Sequence, residues 1–246
     1  MNSRSTSRQQ WPFLFTMFGC AQFVLLTFVA MFFYPGGTYV DPAARGYSFF
    51  HNFFSDLGRT RVFSGTSNTV SAALFMIALT LAGLGLASFF LAMPRFFRRS
   101  SLPRRLSRLG SAAGLVSGFS FVGVAWAPVN LAGGLHRLLV QVAFLAFFIA
   151  VLFYIAAILR TGTYPNRYAW VFGLFVLLLA AYLVLLFFGP SIELRRDMII
   201  QATGQKIIVY AAIIAASILA NGARRMIAAG EGPSPAALAW PPRQAG

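Results

Sequence analysis

The stretch HRLLVQVAFLAFFIAVLFYIAAIL, His136–Leu159, carries a polar atom beyond its first two residues only at Gln141 and Tyr154. Wound as a helix rising 1.5 Å per residue, such a run crosses roughly 30 Å of hydrocarbon. Five further stretches have comparable length and hydropathy: Trp11–Tyr34, Asn68–Met93, Leu109–Ala127, Tyr168–Phe188 and Met198–Gly222. The first is too long for a cleaved signal peptide and no small-residue cleavage site follows it, so it reads as an anchor. The sequence predicts an all-α integral membrane protein, a six-transmembrane-helix bundle over residues 11–222. Residues 1–10 read as a tail. Residues 223–246, rich in Ala, Pro and Gly, read as a disordered tail.

Composition agrees with that reading. The 246 residues are 58% hydrophobic and only 10% charged, with a mean hydropathy of +0.72. A soluble domain is nearer a quarter charged. Cys20 is the lone cysteine, which excludes an internal disulfide and a cysteine-rich metal site. The net charge of +15 does not indicate nucleic acid, because the basic residues flank apolar spans and form no aromatic-basic platform. No cofactor and no metal are expected; two histidines without HxxxH or HExxH spacing fall short of a zinc set.

Arginine placement sets the expected orientation. The connection 94–108 holds Arg95, Arg98, Arg99, Arg104, Arg105 and Arg108; the other segments on that side bring the total to thirteen, against six on the opposite side. Both termini are therefore expected in the cytoplasm, with the protein in the plasma (inner) membrane. Trp11, Trp126 and Trp170 fall near span ends, where amphipathic rings prefer to sit. Gly110, Gly114 and Gly118 form a small-residue stripe that allows close backbone approach, within the bundle or to another membrane protein.

The segment Tyr47–Thr60, YSFFHNFFSDLGRT, concentrates polar chemistry. As a helix it places Phe49, Phe50, Phe53, Phe54 and Leu57 on one arc. Ser48, His51, Asn52, Ser55, Asp56 and Arg59 take the other, and Gly58 is a stop signal. A short amphipathic helix in the first outer loop is expected. Four of the five acids, Asp41, Asp56, Glu193 and Asp197, fall on this same side, as do His51 and His136.

Lys206, the lone lysine, belongs with them. The apolar run Ile207–Ala220 is too short to cross alone, so Gln201, Gln205 and Lys206 are drawn into the outer part of the span, with Tyr210 one turn from Lys206. A buried charge there calls for a partner, Asp56 first and Glu193 second, or else the side chain snorkels to the interface. The expected pocket residues are Asn52, Ser55, Asp56, His136, Glu193 and Lys206. His51, Arg59, Asn68, Gln141, Gln205 and Tyr210 form a second tier, with Asn68 equally suited to capping the second span. Ser55 with a histidine base is a conceivable nucleophile, but no Gly-x-Ser-x-Gly turn supports it.

Asn52-Phe-Phe-Ser-Asp-Leu-Gly58-Arg-Thr60, followed by Phe75 in the second span, resembles the Ser-Asp-x-Gly motif of DRAM-like six-pass membrane proteins. It is still more similar to the prokaryotic domain-of-unknown-function family 998, whose Ser-Asp-Leu-Gly stretch is followed by a Pro and a His matched here by Pro128 and His136. The resemblance spans roughly residues 12–222 and implies a six-helix bundle with cytoplasmic termini and a lipid-related role. His51 and Lys206 do not match its motifs. Three functions are expected in order: binding or processing a lipid or amphiphile, solute or proton-coupled transport, and assembly with a membrane partner.

Overall fold

The computed structural model describes residues 3–162 and 164–232. It contains six long helices: α1 Ser3–Phe33, α2 Thr69–Ala92, α3 Ser101–Trp126, α4 Val129–Leu159, α5 Arg167–Phe188 and α6 Arg195–Ala228. All six are long and apolar enough to cross a membrane. Among the described residues there is no strand beyond isolated bridges, Gly36 with Arg45 and Arg61 with Ser67. The helices run past the expected span boundaries, because polar residues continue a helix once it leaves hydrocarbon. Residues 3–10 extend α1, and α6 continues to Ala228. The rest of the expected disordered tail, 233–246, lies outside the described residues.

Each helix packs on the next, and α6 returns to α1, so the six form a closed ring. Polar side chains tie α1 to α2 through main-chain carbonyls. Ser88 Oγ donates to Pro12 O at 3.0 Å, Thr16 Oγ1 to Gly85 O at 2.9 Å and Gln22 Nε2 to Ala78 O at 2.8 Å. In hydrocarbon such bonds join helices that hydrophobicity alone would leave indifferent to one another.

The glycine stripe of α3 is filled by this chain's own neighbours. A Cβ on Gly114 would come within 2.2 Å of the Phe90 ring, one on Gly118 within 2.8 Å of Gly83 O, and one on Gly110 within 2.9 Å of the Tyr154 ring. The stripe is an internal α2–α3–α4 contact. Phe32, Leu177 and Phe188 point outward, 74%, 68% and 84% exposed, as lipid-facing side chains do. Trp126 and Trp170 are also exposed at helix ends, whereas Trp11 is exposed well inside α1.

Candidate functional site

The chain between α1 and α2 folds over one end of the ring. It is not the continuous amphipathic helix expected over 47–58. A turn at 49–51 is followed by a five-residue 3-10 helix, Phe54–Gly58. The cause is Asn52, whose side chain competes with the helical backbone. Its Oδ1 accepts the Ser48 N–H at 2.9 Å, and its Nδ2 donates to Gly37 O at 2.9 Å and reaches Asp56 Oδ2 at 3.3 Å. Breaking the helix also breaks the two-arc pattern. Phe49 and Phe50 are exposed, while Asn52, Phe54, Asp56 and Leu57 are all buried.

Asp56 sits at the centre of this fold-over. It accepts the Phe53 N–H at 2.8 Å, reaching back to the start of its own short helix. Arg59 Nη1 stands 3.9 Å from its other oxygen. Burial pushes its carboxyl above the ordinary carboxylate range; the Phe53 N–H, the Asn52 amide and the charges of Arg59 and Lys206 oppose that shift. Gln205 on α6 fixes the 3-10 helix from below, its Oε1 accepting the Phe54 N–H at 2.8 Å. On the other side Asn130 of α4 exchanges two hydrogen bonds with Thr60, at 3.0 and 2.8 Å.

Lys206 forms neither expected ion pair. Its ammonium donates to the main-chain carbonyl of Asn52 and, at 3.4 Å, to Ala202 O. The rings of Phe49, Phe54 and Tyr47 surround it, with centroids 5.1, 5.5 and 5.6 Å away. Carbonyl dipoles and aromatic faces thus take the place of a carboxylate. Glu193 is exposed in the short connection before α6 and meets no part of this arrangement.

Between this loop and the ends of α4, α5 and α6 lies a cavity of about 390 Å³. Ser55, Asp56 and His136 line it, as do His51, Arg59, Gln141 and Gln205. Asn52 and Lys206 are buried behind its wall, and Glu193 lies outside. Asn68 and Tyr210 do not line it either. Asn68 occupies the N-cap position of α2, but its side chain donates to Leu57 O and Arg59 O instead of capping. Tyr210 packs its ring on Phe54 at 5.7 Å.

Sequence reasoning missed Tyr39, Arg137, Tyr182 and Gln201 as cavity residues. Tyr182 had a legible signal, the one hydroxyl in the apolar run Val171–Phe188. Arg137 had one too, beside His136.

Both histidines have assignable tautomers. Arginine only donates, so the Arg195 Nε–His51 Nε2 contact at 3.1 Å makes Nε2 an acceptor and leaves the proton on Nδ1, which faces Ser48 Oγ at 2.8 Å. Burial and then Arg195 push the His51 pKa below its usual value. His136 Nδ1 donates to Ala127 O at 2.7 Å, leaving Nε2 as the group that can meet a ligand. α4 is interrupted at Ala132 (φ −133°, ψ 45°), which places His136 in the first turn of its main body. Among the described residues Ser55 bonds to neither histidine, so the nucleophile arrangement is not assembled. The cavity wall is mixed: Arg59, Arg137, Gln141 and Gln201 line it beside the apolar side chains of Val140, Leu186, Ile192 and Met198. Comparison with known protein families, curated proteins and solved structures finds no match for the chain.

Proposed function

We propose that this membrane protein binds an amphiphile, with the polar part of the ligand in the cavity beneath the 34–68 loop. The observation that carries the reading is the cavity's mixed wall, in which Arg59, His136, Arg137 and Gln141 stand beside Val140, Leu186 and Met198 at one end of a membrane-spanning ring. Pockets that combine an apolar lining with a few placed polar groups are the general form of small-molecule sites. The DRAM-like resemblance supports a lipid-related role. The excess of arginine at the opposite end supports cytoplasmic termini in a plasma (inner) membrane, so the cavity opens outward.

Transport draws no support from the ring interior, whose deeper cavity is lined almost wholly by apolar side chains. Assembly through the α3 glycines is opposed by their internal packing. The test is lipid analysis by native mass spectrometry of the protein purified in mild detergent, with Arg137→Gln and Gln141→Leu alongside. The expected result is a retained amphiphile in the wild type, lost or weakened in both variants at unchanged thermal stability. A wild type that retains and binds no amphiphile overturns the reading.

A further inference from the structure

The axis of the ring holds a second cavity, of about 90 Å³, whose lining includes Leu79, Ala82, Phe121, Phe144, Val209 and Ala212. Thr16 also borders it, but its hydroxyl is engaged with Pro12 O and Gly85 O, each at 2.9 Å. An apolar cavity of this kind stays dry and accepts apolar occupants.

Helical register places it directly below the mouth cavity. On α4, Val140 lines the mouth and Phe144, one turn further, lines the axial cavity; on α6 Gln205 and Val209 repeat the relation. The wall between them is thin. Phe144 meets Tyr182, which faces the mouth, at a centroid separation of 4.8 Å.

We propose that the ligand is a single-chain anionic amphiphile whose hydrocarbon chain passes the Phe144–Tyr182 pair and ends in the axial cavity. This rests on the amphiphile reading above and adds the chain's path and the headgroup's charge. A cavity of about 90 Å³ inside a closed ring has room for the end of one chain and not for two side by side. The headgroup is anionic because Arg59 and Arg137 are the permanently charged groups on the mouth wall. The one carboxylate there, Asp56, takes the Phe53 N–H and the Asn52 amide on one oxygen and faces Arg59 at 3.9 Å with the other, which leaves the two guanidiniums in excess by one charge. Arg59 is held ready by the Phe63 ring, 3.9 Å beneath its guanidinium carbon.

The test uses the full chain in detergent and lysophosphatidic acids of short and long acyl chain, with affinity read by native mass spectrometry. The wild type is expected to favour the long chain by about fifteen-fold, the worth of two buried methylene groups. Ala212→Phe, which fills the axial cavity, is expected to erase that preference and leave short-chain binding intact. Phe144→Ala, which thins the wall, is expected to strengthen long-chain binding and guards against a misfolded Ala212→Phe. Equal affinity for both chains in the wild type, or a chain preference unmoved by both variants, overturns the axial path. If Arg137→Gln still abolishes binding in that case, the mouth site stands without it. A wild type that binds neither chain length overturns the anionic single-chain ligand, and overturns the mouth reading as well only if the purified protein also retains no other amphiphile.

Discussion

Lys206 donates to the main-chain carbonyl of Asn52, and this contact joins α6 to the loop that roofs the mouth cavity. The ammonium is buried beneath three aromatic rings, so the bond is shielded from competing water. Lys206→Met keeps the apolar stem and removes the charge-assisted bond. The expected cost is about 1.5–3 kcal/mol, with faster amide hydrogen exchange confined to residues 47–58. Unchanged exchange there would show that the loop is held by its other contacts, chiefly Gln205 and Asn130.

Gly58 lies so close to Phe75 that a Cβ would come 2.6 Å from the ring. Its φ is negative, so close approach and not a left-handed turn requires the glycine. Gly58→Ala is expected to cost about 1–3 kcal/mol by overpacking, and adding Phe75→Leu should recover part of it. Gly133 is the counter-case, a helical glycine with nothing within 4 Å. Gly133→Ala should leave thermal stability level or raise it by up to about 1 kcal/mol. Thermal unfolding of the three variants in one detergent decides the matter.

These pairs show what could be read from residues alone. The six spans were legible because hydropathy over twenty residues decides whether a segment enters a bilayer. The gathering of Asp56, His51 and His136 at one end followed from alternating helix direction. Main-chain partners were not legible. A lysine in a span suggests a carboxylate, yet Lys206 found the Asn52 carbonyl, a group that every residue carries. Asn52 read as one member of a polar arc, but its amide satisfied Gly37 and Ser48 and ended the helix. Glu193 was grouped by side of the membrane, which says nothing of whether a short exposed connection folds inward.

Two titrating groups on the loop act with opposite sign. The Asp56 carboxyl is raised by burial above its ordinary value of 3.8, so between that value and the raised one the folded protein keeps a proton that the unfolded chain has released. Its contribution therefore favours folding as pH falls through that interval and is lost as pH rises through it. His51 is lowered from 6.5 by burial and Arg195, so between its lowered value and 6.5 the unfolded chain binds the extra proton, and stability falls with falling pH. Melting temperature against pH should lose the acid-side gain in Asp56→Asn and lose the higher-pH decline in His51→Gln. An unaltered profile in Asp56→Asn would mean that the carboxyl titrates alike in both states.

Gly114 separates internal packing from a role in association. Its nearest neighbour is the Phe90 ring, at 2.2 Å from an added Cβ, and Phe90 is itself fully buried against Phe89, Phe147 and Tyr154. The ring therefore has no empty space to move into. Gly114→Val is expected to lower the yield and melting temperature of the folded protein sharply, as overpacking of a dense core does. Any oligomeric state of the wild type should persist in whatever fraction still folds, measured by light scattering in detergent. A variant that folds normally but changes its oligomeric state would place the stripe at a protein–protein contact and require α2 and α3 to be further apart than the Gly83–Gly118 approach allows.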